Sequence, residues 1–125
     1  MTTVVDTSVW IDFWRGRSTA APLGELLDAD EVLVHPWVRA ELALGSLGPK
    51  RGRILADLAT LPPAAMVADD EVVAMVDARR LHGRGLGWVD VHLLASSLAV
   101  GGTLWTHDGA LASAARAACI EWAKA

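Results

Sequence analysis

Four carboxylates stand out by the company they keep. Asp6 directly follows the β-branched run at residues 2–5, and Asp108 comes two residues after the run 103–106. Glu41 interrupts an apolar stretch formed by Val38, Ala40, Leu42, Ala43 and Leu44, and Asp90 sits between Trp88-Val89 and Val91. An ionised carboxylate in apolar surroundings is costly unless it is paired or bound to a cation. Singly, each has an ordinary explanation: Asp6 and Asp108 as helix caps, Asp90 as a first-turn acid favoured by the helix dipole, Glu41 as a partly exposed surface residue. Jointly, acids at the ends of two strands and near the starts of their associated helices converge on one edge of a parallel sheet, where open α/β sheets place their ligands.

If all four lie about 5 Å apart, each ionised pair repels by roughly 3 kcal/mol at an effective dielectric of about 20. Several such pairs exceed the roughly 5–15 kcal/mol by which a domain is stable. The cluster must therefore hold protons or a cation. Oxygen ligands without cysteine favour Mg²⁺ or Mn²⁺ over Zn²⁺. Thr7, Ser8 and Thr106 stand beside these acids and supply hydroxyls that orient carboxylates.

The elements that must position these groups follow from pattern and punctuation. Residues 2–5 read as a short buried strand. A helix is expected over 7–15, ended by Gly16, and another over 22–29, with Pro22 in its first turn. Residues 31–35 form a second strand, and Pro36 starts a helix that ends at Gly45. Ile54, Leu55, Leu58 and Leu61 mark a helix over 50–61. After Pro62-Pro63, residues 65–67 are expected as a brief edge strand. Asp69 then caps a helix over 70–81, and a glycine-rich loop over 82–87 leads to an apolar helix over 88–100. A strand over 103–106, a helix opened by Asp108 and a terminal strand over 119–122 complete the chain. The alternation implies a single domain over residues 1–125, an α/β fold with a parallel sheet of four to five strands covered by helices on both faces in three α/β/α layers.

Residues of the AVILMFWYC set make up 53% of the 125 residues, and 11 glycines add to them. This exceeds the usual apolar share of about 45–50%, so a homodimer or partner contact is expected to cover part of the surface. The six tryptophans fit that too, although core filling is the default for Trp10, Trp14 and Trp37. Cys119 is the only cysteine and is expected to be a small core residue in a reducing, cytoplasmic setting. No leader precedes the first strand, and the most apolar window, broken by Asp90 and His92, does not suit a membrane span. A net charge of −4 argues against a broad nucleic-acid surface but not against a local one. Two basic clusters are present, Lys50-Arg51-Arg53 and Arg79-Arg80 with Arg84. Solvated helix faces are the default, and phosphate contacts, Arg79, Arg80 and Arg84 above all, are the sharper reading. His35 reads as structural. His92 and His107 flank the acids, with a satisfied structural role as the default and a substrate-facing one as the alternative.

The order Asp6-Thr7-Ser8 after a first strand, Glu41 in an early helix, Asp90 opening an apolar helix and Thr106-His107-Asp108 after a strand resembles PIN-domain nucleases. Within them, the chain length and the Gly87-Trp88-Val89-Asp90 … Leu94-Ala95-Ser96-Ser97 stretch resemble the VapC toxins of bacterial VapBC toxin–antitoxin pairs. The resemblance spans essentially the whole chain. It implies an α/β/α sandwich, a Mg²⁺- or Mn²⁺-dependent endoribonuclease, an RNA substrate, and a small VapB-type antitoxin that blocks the acidic site. Carried over, Asp6, Glu41, Asp90 and Asp108 are the acidic quartet. Asp6 and Asp90 are the principal metal ligands, joined by Asp108, with Glu41 or Asp108 acting on the attacking water. Some relatives carry a further acid just after the last aspartate, where this chain has Gly109-Ala110-Leu111. Two other readings stand beside this one: a PIN-type nuclease of RNA maturation or decay without an antitoxin, and a catalytically silent binding module.

Overall fold

The β-branched run at the start of the chain becomes the middle strand of a small parallel sheet. In a computed structural model that describes residues 1–124, β1 (Thr3–Val5) lies between β2 (Val32–Leu33) and β3 (Thr103–Trp105). Val4 stands opposite Leu33 on one side and Leu104 on the other. Successive strand residues face opposite sides of a sheet. Thr3, Val4 and Val5 are all at most 1% exposed, so both faces of the middle strand are covered.

Among the described residues the sheet has three strands rather than the four to five expected from sequence. Of the segments around the two extra candidates, each contributes one isolated bridge, Pro63 to Val34 and Glu121 to Leu104. The first is limited by Pro62-Pro63, which lack the N–H groups a ladder needs, and residues 65–67 form no strand. The second is limited by Cys119, whose φ of 60° swings the backbone out of line just before the pairing residues. Trp122 donates its N–H to the Leu104 carbonyl at 2.9 Å and stacks on Trp105 at 3.9 Å, and the pairing goes no further among the described residues.

Seven α-helices surround the strands among the described residues: α1 (Thr7–Trp14), α2 (Pro22–Asp28), α3 (Pro36–Leu44), α4 (Arg51–Ala59), α5 (Asp69–Ala78), α6 (Trp88–Val100) and α7 (Gly109–Ala117). Short 3₁₀ turns at Ser18–Ala20 and Gly48–Lys50 precede α2 and α4. Pro36 opens α3, and the preceding His35 uses its ring as the cap, Nδ1 accepting the Trp37 N–H at 3.1 Å. Asp69 is not a cap as expected. It is the first residue inside α5, where Asp69, Asp70 and Glu71 together meet the positive end of the helix dipole. That helix stops at Ala78, short of the expected Leu81, because Arg80 turns left-handed at φ 53°.

The central pillar is α6, apolar almost all round and packed against β1, β3, α5 and α7. Seven consecutive residues of it, from Val91 to Ser97, are buried. Their neighbours include Val4, Val5, Val9, Leu42, Leu104 and Leu111. Among the described residues no helix is long and apolar enough to cross a membrane. Cys119, expected in the core, is exposed.

The turn from α6 into β3 is tightly built. Gly101 ends the helix in the left-handed region with open space around it, whereas a Cβ on Gly102 would meet the backbone oxygen of Thr2 at 2.5 Å. Gly102→Ala is therefore expected to destabilise by about 1–3 kcal/mol through overpacking. Gly101→Ala is expected to cost only about 1 kcal/mol of backbone strain. Urea unfolding of the two variants compares them, and the reverse ranking would contradict this packing.

Candidate active site

Parallel strands end together, and that is what gathers distant acids. β1 and β3 pair in parallel, so Asp6 and the Thr106–Asp108 turn leave the sheet at the same edge, tied by the Asp6 N–H to the Trp105 carbonyl at 2.9 Å. The chain goes from β1 to β2 on one side, then crosses to β3 on the other. The crossovers diverge next to β1, and the carboxyl end of the strand at such a switch point is where open α/β sheets bind their ligands.

Asp6 is 7% exposed and is held by two hydroxyls, Ser8 Oγ and Thr106 Oγ1, both donating to its Oδ2 at 2.8 Å. Each hydroxyl also accepts a backbone N–H, Ser8 from His107 and Thr106 from Asp108, at 3.1 and 3.0 Å. Two hydroxyls thus fasten the start of α1 to the turn after β3. Thr7 reaches elsewhere, donating to Glu41 Oε1 on α3 at 2.9 Å. Asp90 Oδ2 accepts the Gly87 N–H at 2.8 Å, bracing the first turn of α6. Asp108 caps α7, its Oδ2 accepting the Leu111 N–H at 2.9 Å.

The four acids share one electrostatic field. Burial, with Asp6 and Asp90 nearby, raises the Glu41 pKa above its ordinary value against the lowering effect of the Thr7 hydrogen bond. Burial, with Asp6 and Asp108 nearby, likewise raises Asp90 against its bond to Gly87. In every one of the four, a single oxygen takes the hydrogen bonds from the chain. Asp6 Oδ1, Glu41 Oε2, Asp90 Oδ1 and Asp108 Oδ1 accept none among the described residues.

This donor set suits a hard cation. Among the described residues no three His, Cys, Asp or Glu side chains stand together closely enough to hold a metal ion between them. Mg²⁺ characteristically binds through one or two carboxylates and retains several waters, so it needs no such cluster. Each of the four anchored carboxylates keeps one oxygen without a hydrogen-bond partner among the described residues.

The remaining candidates divide. Arg51 is turned away from the acids and donates to the Ala43 carbonyl at the end of α3, at 2.7 Å, while Arg53 stands 4.0 Å from Asp57 on its own helix. Arg79, Arg80 and Arg84 are exposed. The loop carrying Arg84 abuts the start of α7, since a Cβ on Gly85 would lie 3.9 Å from that of Ala110. His35 is buried, and desolvation aided by the nearby His92 lowers its pKa to about 4. His92 is buried but not satisfied as expected. Its Nε2 lies 3.2 Å from Asp69 Oδ1 without hydrogen-bond alignment, and neither ring nitrogen has another partner among the described residues. His107 Nδ1 pairs with Asp12 Oδ2 at 2.6 Å, and Asp12 also meets Arg17 at 3.3 Å. Sequence reasoning passed over Asp12, although it is an acid one helical turn after Ser8 in an apolar helix.

A groove leads away from the acids. A cavity of about 290 Å³ is lined by Ile11, Trp14, Leu42 and Ile54 together with the charged Glu41 and Arg15. Through Trp14 and Ile54 it adjoins an apolar cleft of about 300 Å³ that includes Phe13, Leu27 and Leu61.

The sequence matches the PIN domain over residues 3–117. It is also 50% identical over 119 residues to a protein named Ribonuclease VapC32 in Mycobacterium tuberculosis strains H37Rv and CDC 1551, an alignment covering 94% of this chain and 90% of the relative.

Because the folded chain holds protons at Glu41 and Asp90 that the unfolded chain releases, stability falls as pH climbs from the ordinary carboxylate value through the raised ones. Without divalent ions, Glu41→Gln should therefore melt higher than the wild type at neutral pH, with the gap closing below about pH 4. Thermal unfolding across pH tests this, and a lower melting temperature for the variant at neutral pH would refute it.

Proposed function

The chain belongs to the PIN-domain family, in its VapC-type branch, and from that premise we propose a divalent-metal-dependent endoribonuclease that is the toxin of a type II toxin–antitoxin pair. The observation that supports this most directly is the set of four carboxylates from four elements, each anchored through one oxygen and open through the other. Asp6 and Asp90, with Asp108, would hold Mg²⁺ or Mn²⁺. When bound, such an ion neutralises charge developing on the scissile phosphate and makes water easier to deprotonate.

The chain's own groups do the rest. Ser8 and Thr106 fix Asp6, so the firmest ligand is positioned before the ion arrives. Thr7 pins Glu41 by Oε1 and leaves Oε2 facing the cluster's field. Its raised proton affinity suits it to accept a proton from the attacking water, since a base works best with a pKa near the operating pH. Asp108 helps to orient that water. Arg79, Arg80 and Arg84 contact RNA phosphates around a pocket that is otherwise acidic.

A small VapB-type antitoxin blocks the site by laying an apolar helix along the groove from Leu61 past Trp14 and Ile54 toward Glu41. The protein is a homodimer and acts in the cytoplasm, where its one exposed cysteine stays reduced.

Asp6→Asn and Asp90→Asn should abolish Mg²⁺-dependent RNA cleavage while circular dichroism remains that of the wild type. Ser8→Ala, which removes a carboxylate-orienting bond, should lower activity or metal affinity by about 10–100-fold. Full cleavage by either aspartate variant would overturn the assignment. For the groove, Ile54→Glu should keep RNA cleavage yet lose co-purification with the small protein encoded beside it. Retained co-purification would move the antitoxin elsewhere.

A further inference from the structure

Two residues before Asp90, the first residue of α6 is a tryptophan left 42% exposed, and Val73 of α5 is 47% exposed. With Val76, Leu86 and Val91 these two side chains line a shallow cleft of about 240 Å³. The indole of Trp88 is braced from behind. It stands edge-on at 4.5 Å to His92, one helical turn along and fully buried, and Trp37 stands 6.3 Å away on the helix that carries Glu41. One part of the ring system is therefore fixed while another faces water beside the acids.

The rim of the cleft has the opposite character. It includes His82 and Gly83 from the loop before α6, and Arg84 follows in the same loop. Beyond the turn at His82 and Gly83, no backbone N–H or C=O of residues 82–86 is in a hydrogen bond among the described residues. A rigid aromatic surface bordered by free donors and acceptors, next to a cation, matches a nucleobase. The cleft is smaller than the roughly 300 Å³ at which pockets for drug-sized molecules begin, so it suits a single base. A second copy of this chain fits less well, because a dry subunit contact would strand those backbone groups.

We propose that this cleft is a nucleobase subsite of the nuclease, in which an unstacked base of single-stranded RNA beside the scissile phosphate lies on Trp88 and presents its edge to the backbone of residues 82–86. The proposal rests on the ribonuclease reading above. It also addresses how a chain of net charge −4 holds a polyanion. Stacking is uncharged, so it adds affinity without adding to the salt dependence that phosphate contacts create.

The test uses the full chain in the Asp6→Asn background, where cleavage is blocked, with single-stranded RNA oligonucleotides carrying one abasic site at each position in turn. Trp88→Ala should weaken binding about ten-fold at every salt concentration, giving parallel lines of log affinity against log salt. Trp88→Phe should recover most of the loss. One abasic position should weaken binding to Trp88-containing protein by a similar factor and have no effect in Trp88→Ala. In the cleaving protein the same substitution should raise KM far more than it lowers kcat. Equal affinity of Trp88→Ala and its parent at every position would overturn the subsite while leaving the nuclease reading intact. A change of oligomeric state in Trp88→Ala on gel filtration would assign the cleft to a second copy instead. Failure of the unsubstituted protein to bind or cleave RNA would remove both readings together.

Discussion

Like charges crowded at the carboxyl edge of a three-stranded parallel sheet are the constraint to which the other features answer. Asp6 is the fixed point, buried at the end of the middle strand and fastened by the hydroxyls of Ser8 and Thr106. Glu41, Asp90 and Asp108 arrive from three further elements, and burial, aided by the neighbouring acids, pushes Glu41 and Asp90 toward holding protons. Repulsion of this kind is tolerated because stability is supplied elsewhere. The buried length of α6 and the covered faces of β1 hold the acids close whether or not their charge is neutralised. A site under such tension gains most from binding a cation, which is the chemistry the family's activity requires.

The atoms that begin the helices are also the atoms that build the site. Asp108 caps α7 and Asp90 braces the first turn of α6 through Gly87, each with a single oxygen. Local helix initiation therefore sets the direction of the second oxygen, and the site is complete only when α6 and α7 are formed. The Ser8 and Thr106 hydroxyls couple the start of α1 to the β3–α7 turn in the same way. The pair Asp12–His107, with Arg17 behind it, reinforces that junction one helical turn farther along α1.

Much of this was legible residue by residue, and the failures have physical causes. Helix stops at Gly16 and Gly101 were readable because left-handed backbone favours glycine. The left-handed turns at Arg80 and Cys119 were not, since nothing in those side chains announces them, and they shortened α5 and cancelled a strand. The run 65–67 has strand-like composition, yet the pairing beside β2 is spent at one bridge from Pro63 to Val34, and the run itself joins no ladder. Asp69 looked like a cap by type, but the helix starts one residue earlier than that role allows. His92 was expected to be satisfied, and whether a buried ring finds an aligned partner depends on how α5 packs on α6.

By itself the sequence determined the local chemistry: which residues carry charge within apolar runs, where hydroxyls stand beside them, where helices begin, and that strands alternating with helices must pair in parallel. These follow from nearest-neighbour sterics, side-chain solvation and period, all of which operate over a few residues. The tertiary structure alone decided which oxygen of each acid is free, that Thr7 serves Glu41 rather than Asp6, and that the sheet stops at three strands. It also decided that Trp88 is braced yet exposed. Those outcomes depend on contacts between residues as far apart as Asp6 and Thr106, set by the packing of whole elements.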